Sequence, residues 1–176
     1  NADGSIQKPV AYLTCNFNAP IGDKPALFTH DEVTTLFHEF GHGIHHMLTK
    51  VDVPDVAGIN GVPWDAVELP SQFMENWCWE KEALDFISGH FETHEPLPEE
   101  KLNQLLKAKN YQAAMFVLRQ LEFGLFDFTL HHTFEPGKAN QVLDTLKAVK
   151  DKVAVIKGVE WARTPHSFSH IFAGGY

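Results

Sequence analysis

One stretch of this chain restricts its fold more than any other: a helix with its own start signal and two histidines on one side. Thr29-His-Asp-Glu32 has the form of a capping box, in which the threonine hydroxyl accepts from an early helix amide and the glutamate reaches back to the cap. Behind it Val33, Leu36, Phe37, Phe40, Ile44, Met47 and Leu48 recur at helical spacing. The pattern predicts an amphipathic helix from about His30 to Lys50. On it stands His38-Glu39-Phe40-Gly41-His42. Residues four apart lie one turn away on the same face, so two imidazoles can converge on one Zn²⁺. Glu39 projects beside them, where it can accept a proton from water at the metal.

The helical wheel separates this reading from simple packing. With Val33 at zero and about 100° per residue, His38 and His42 fall near 140° and 180°, opposite the apolar stripe. Gly41 and Gly43 each cost about 1 kcal/mol relative to alanine in a helix interior. Such a cost suggests that something approaches the backbone closely. A catalytic zinc takes a third protein ligand and keeps one position open. Candidates in sequence are Asp52, Asp55, Asp65, Glu68, Glu75, His45 and His46. Glu68 is favoured, because it opens the next helix, which a loop can fold back against the first. Ser71 and Gln72, one turn on, are placed to orient ligands.

The remaining chain reads as one mainly α domain over residues 1–176. Val10 to Phe17 alternates, with Ala11, Leu13, Cys15 and Phe17 on one side, which predicts a small β element near the N-terminus. The Gly- and Asp-rich stretch Val51 to Pro63 is a loop with room for a short hairpin. Further helices are expected at about Ala66 to Phe86, with Pro70 beginning or bending it, then Pro98 to Lys107 and Asn110 to Thr133. A last helix carries Val142, Leu146, Val149, Val153 and Ile156 on one stripe, and an irregular tail follows from Gly158.

Composition excludes several classes. A net charge of −9 gives no basic footprint for nucleic acid. The most apolar stretch, Tyr111 to Phe134, carries Arg119, Glu122 and Asp127, so no membrane span is expected. It is apolar nearly all round: either the centre of the core or a helix whose far side faces another part of a larger protein. Cys15 and Cys78 make no disulfide framework, and with no signal-like start the expectation is a reducing, cytoplasmic setting.

At this point the chain resembles a known family. His38 to Met47 (HEFGHGIHHM), followed by Val67 to Glu80 (VELPSQFMENWCWE), closely resembles the thimet-oligopeptidase family of zinc peptidases and its bacterial branch. Pro9 to Phe17, Asn110 to Phe128 and His166 to Tyr176 share the likeness. The resemblance implies a zincin-like helical catalytic lobe, one Zn²⁺ held by His38, His42 and Glu68, and Glu39 as general base. It implies that His170 and Tyr176, around a glycine-rich loop, assist substrate binding and the transition state. It further implies short peptides as substrates and a much longer parent with two lobes around a deep channel. This chain would then be the zinc-bearing segment of a larger catalytic domain, with the remaining parts of the parent as its partners. By itself it is expected to hydrolyse peptides poorly or not at all.

Other features read more plainly. His90 and His94 lie between Gly89 and Pro96, which suits a loop. His131 and His132 suit the end of a helix, where the dipole favours cations. Trp77, Trp79, Phe73 and Met74 read as core. Two rival functions remain open on the sequence: a zinc- or peptide-binding segment without turnover, and a helical domain in which His38 and His42 bind nothing.

Overall fold

A computed structural model describes residues 3–159 and 161–173. Among the described residues, eight α-helices follow in order: α1 (His30–Met47), α2 (Leu69–Glu75), α3 (Lys81–Ile87), α4 (Glu99–Ala108), α5 (Ala113–Thr133), α6 (Gln141–Val153), α7 (Thr164–Ser167) and α8 (His170–Ala173). The mainly α expectation holds. The chain divides into two compact units, residues 1–104 and 105–176, with the division inside α4.

In the first unit, α1 begins where the capping box places it. The Glu32 amide donates to Thr29 Oγ1 at 3.3 Å, and the Thr29 amide donates to Glu32 Oε2 at 2.7 Å. Asp31 and Glu32 in the first turn and His45 and His46 in the last suit the helix dipole. The residues of α1 that are fully buried are Gly41 and Gly43, not the apolar stripe. Leu36, Phe40, Met47 and Leu48 are exposed. The reason is steric. A Cβ on Gly41 would lie 2.5 Å from the Pro70 carbonyl oxygen and 2.6 Å from Ser71 Cα, so the backbone of α2 occupies the space a side chain would need. Packing follows the smooth face of the helix.

The strand expected at Val10 to Phe17 does not form. The segment has no regular secondary structure, and Ala11, Cys15 and Phe17 are half-buried while the residues between them are exposed. The alternation therefore marks a chain lying along α1: a Cβ on Gly43 would meet Leu13 Cδ1 at 3.4 Å and Ala11 Cβ at 4.0 Å. A strand needs a second strand to bond with. Among the described residues there is only an isolated antiparallel bridge between Ile21 and Lys24. The loop after α1 forms no hairpin either. It makes two 3₁₀ turns, Pro54–Val56 and Gly58–Gly61. Gly58 sits at φ +56° against His46, a conformation that suits glycine.

The single helix expected over Ala66 to Phe86 is three pieces. Pro70 stands in the first turn of α2, and the helix gives way to a 3₁₀ turn at Asn76–Trp79 before an extended Glu80 leads into α3. Two local contacts explain the break. The Asn76 side-chain amide donates to the carbonyls of Phe73 and Gln72 at 3.0 and 3.4 Å, competing with the helix ladder. His30 Nε2 lies 2.7 Å from the Cys78 carbonyl, which therefore accepts from α1. Cys78 itself is fully buried, and burial pushes its thiol up, partly offset by a hydrogen bond with Thr34. Phe73 and Trp77 are not core, being 60% and 46% exposed. Trp79 is half-buried with its ring 4.2 Å from that of His30.

The second unit is built on larger side chains. Phe126 and Leu130 of α5, Leu146 and Val149 of α6 and Ile171 of α8 form one buried cluster, with Leu125, Val142, Val153 and Phe168 packed on it. Each such side chain stabilises by about 1.5–3 kcal/mol when fully buried. Gln112, at φ +54°, precedes α5, which starts three residues later than the sequence pattern suggests. The nearly all-apolar α5 buries one stripe, Glu122, Phe126 and Leu130. Phe116, Val117, Leu121 and Phe128 on its other sides are exposed. The tail is less irregular than expected, since it contains α7 and α8.

Gly41→Ala tests the close approach. Alanine gains about 1 kcal/mol in helix propensity, whereas forcing a methyl into an occupied space costs about 1–3 kcal/mol or more. The substitution should lower the unfolding free energy despite the better helix former, as measured by urea denaturation.

Candidate metal centre

The helix α1 sets His38 and His42 one turn apart with their rings nearly perpendicular, centroids 5.0 Å apart. Both side chains are partly buried. Glu68 stands immediately before α2. Because Gly41 lets the Pro70–Ser71 backbone lie directly on α1, Glu68 reaches the two imidazoles. Its Oε2 lies 3.1 Å from His38 Nε2 and 3.1 Å from His42 Nε2. Among the described residues, these three offer the one group of His, Cys, Asp or Glu ligand atoms all within 4.8 Å of one another.

The donor set fits a zinc ion. With bonds of 2.0–2.1 Å, a tetrahedral zinc holds its ligand atoms about 3.3 Å apart. The two spacings of Glu68 Oε2 to the imidazole nitrogens match that figure closely. Two imidazoles and a carboxylate also suit zinc by ligand type, and three protein donors leave a fourth position open.

Neighbouring groups orient these donors. Ser71 is fully buried, and its hydroxyl lies 2.7 Å from Glu68 Oε2 and 2.9 Å from the Glu68 carbonyl. Glu75 Oε1 lies 2.6 Å from His38 Nδ1. A carboxylate there accepts from Nδ1–H, which leaves the Nε2 lone pair directed at the site. Among the described residues His42 finds no such support: its Nδ1 is buried without a hydrogen-bond partner there, as are Nδ1 of His45 and His46. Glu39 is half-buried on α1 between the two histidines.

The structure thus brings His38, His42 and Glu68 together and leaves Asp52, Asp55, Asp65, His45 and His46 outside the group. Gln72, expected to orient a ligand, is exposed, whereas Ser71 makes the contact expected of it. Glu75, a candidate ligand by sequence, instead meets His38 Nδ1, a contact that the search for a third ligand does not reveal. A signal existed: Glu75 is seven residues after Glu68, two turns on along the same helix face. His170 is exposed at the first position of α8, in the second unit. Tyr176 lies outside the described residues. His90 and His94 lie in a turn, with His94 at φ +59°. His131 Nδ1 contacts Asp127 Oδ1 at 2.7 Å, a pairing within α5.

Comparison with known proteins gives the chain's family. Oligopeptidase A of Haemophilus influenzae is 84% identical over 174 residues, which covers 99% of this chain and 26% of that protein. Oligopeptidase A of Escherichia coli is 71% identical over 175 residues, again 99% of this chain and 26% of the relative. Saccharolysin of Saccharomyces cerevisiae is 40% identical over 175 residues, 99% of this chain and 24% of its own length. The chain spans about a quarter of the length of the curated relatives it matches. The model of peptidase family M3 matches residues 1–176 in full, so the chain belongs to peptidase family M3.

Proposed function

We propose that this chain is the zinc-bearing segment of a metallo-oligopeptidase and carries the centre that hydrolyses peptide bonds of short peptides. The observation that carries this reading is the placement of Glu68 Oε2 at 3.1 Å from both imidazole Nε2 atoms. Names of the relatives support a peptidase and an oligopeptide substrate class. No helix among the described residues is long and apolar enough to cross a membrane. A cytoplasmic setting fits two free cysteines, one of them buried.

His38, His42 and Glu68 would hold the ion, with Ser71 and Glu75 fixing the orientation of Glu68 and His38. When bound, zinc polarises the scissile carbonyl and brings the pKa of its water toward ~7. Glu39 takes a proton as the water oxygen bonds to the carbonyl carbon. The same carboxyl then delivers that proton to the leaving nitrogen as the C–N bond breaks. Negative charge develops on the former carbonyl oxygen, and His170 and Tyr176 would donate hydrogen bonds to it.

A second reading, zinc or peptide binding without turnover, applies to the 176-residue chain in isolation. It is favoured by the exposed apolar faces of α1 and α5 and by the chain's share of its relatives' length. These faces suit burial against the remaining parts of a longer polypeptide, within one larger catalytic domain that includes both units.

The decisive test uses the full-length polypeptide. Glu39→Gln should lower kcat on a quenched fluorescent peptide by about 10²–10⁴-fold, the range for a general base, with zinc content unchanged by atomic absorption. Retained turnover would remove Glu39 from the chemistry. The isolated 176-residue chain should bind zinc yet show little cleavage. Glu75→Gln should weaken zinc binding by about 10–100-fold, as loss of an orienting carboxylate does elsewhere, measured by competition with a chelator.

A further inference from the structure

His170 stands in a part of the chain that cannot hold its own shape. The helix α8 has four described residues and α7 before it has four. Helices that short do not persist without tertiary support. The side chain of His170 is itself exposed, so its position depends on its neighbours. Ile171, next in sequence, is 6% exposed and belongs to the buried cluster with Phe126, Leu130, Leu146 and Val149. Phe168, two residues before, packs against the same cluster.

Phe168 is also one ring in a line of contacts. Its ring lies 5.9 Å from that of His170 and is stacked on Phe123 of α5, with centroids 4.7 Å apart and planes at 30°. The guanidinium of Arg119 covers the Phe123 ring at 4.1 Å. Arg119 Nη1 is held in turn by Glu122 Oε2 at 2.8 Å. Glu122 is buried and also faces Lys150 of α6, Oε1 to Nζ 3.8 Å. Each link restricts the next. The ion pair fixes the guanidinium, which sits over the ring face where the π-electrons favour a cation, and the stacked rings fix one another's planes. A pure packing role would need only apolar volume at Phe168. The aligned stack supplies orientation as well.

We infer that Phe168 and Phe123 are positioning residues for His170, aligned by Arg119 through the buried Glu122. The inference rests on the reading of His170 as a group that acts on the transition state. The Phe123–Phe168 stack sets where the imidazole stands, and Ile171 anchors the backbone on its other side.

The test is a double-mutant cycle in the full-length polypeptide, with kcat and KM measured on a quenched fluorescent peptide. Zinc content and thermal midpoint are followed for every variant. Phe168→Leu and Phe123→Leu, which keep apolar volume and remove the ring, should each lower kcat by about ten- to a hundredfold, the penalty for a displaced catalytic group. KM and zinc content should stay unchanged. Phe168→Tyr, which keeps the ring, should retain kcat. Against a His170→Ala background, Phe168→Leu should cost nothing further. An equal loss in that background would show that the ring serves stability alone and would overturn the proposal, as would full kcat in both leucine variants while His170→Ala is impaired. Full activity of His170→Ala would instead defeat the reading of His170 itself, and the positioning proposal with it. Should Phe168→Leu not fold, Phe123→Leu and its cycle with His170→Ala read the same stack.

Discussion

The contact on which the metal centre depends is the approach of α2 to α1 at Gly41. There the Pro70 carbonyl and Ser71 Cα stand where any side chain would have a Cβ. Glycine within a helix costs about 1 kcal/mol, and that cost allows two backbones to touch. From the contact, the rest of the site follows. Glu68, just before α2, is carried to the two imidazoles. Ser71, buried at the contact, turns its hydroxyl to the Glu68 carboxylate. Glu75, two turns further along, meets the far nitrogen of His38. A short helix of seven residues and the residue that precedes it thus supply a ligand and two orienting groups, because all three lie on the side turned to α1.

The two units are stabilised differently. In the first, most of the buried residues are small: Gly41, Gly43, Ala57, Gly58, Val67, Ser71 and Cys78, beside only two leucines among the described residues, Leu84 and Leu102. Rigidity there comes from close backbone approach and from hydrogen bonds to side chains that sit in fixed places, such as His30 to the Cys78 carbonyl. In the second unit, Phe126, Leu130, Leu146, Val149 and Ile171 bury apolar area in the ordinary way, with Glu122 and its two cations within the helix pair. The first arrangement suits a site whose donors must be fixed to fractions of an ångström. The second provides a base for a short helix that could not hold a histidine by itself.

Much of the fold was legible because its determinants are local. The capping box predicts the start of α1 to the residue, and helical periodicity finds α4, α5 and α6 to within a few residues. The failures share one cause. The alternation of Val10 to Phe17 records one buried side and cannot say whether a strand or a helix lies against it. The stretch 66–86 has helical periodicity, but Asn76 and the Cys78 carbonyl find partners that interrupt the ladder. Phe73, Trp77 and, on the stripe that begins in α1, Leu36, Phe40, Met47 and Leu48 are apolar and exposed in this chain. Hydrophobicity records that a face is suited to burial, not which part of a protein covers it.

The same division applies to the site. Sequence by itself determined that His38 and His42 share a face, since a 3.6-residue turn allows nothing else, and that Glu39 lies between them. It also supplied the glycine that marks a close approach. It left seven candidates for a third donor on spacing alone, favoured Glu68 among them because it opens the next helix, and the resemblance implies the same residue. Tertiary structure decided that the carboxylate of Glu68 stands equidistant from both imidazoles, and that Glu75 is the partner of His38 and not a fourth donor. The reason is one of range. Helix geometry fixes relations across four residues, whereas the meeting of residues 38, 42, 68 and 75 depends on how a loop returns the chain, and on one missing Cβ that lets it come close enough.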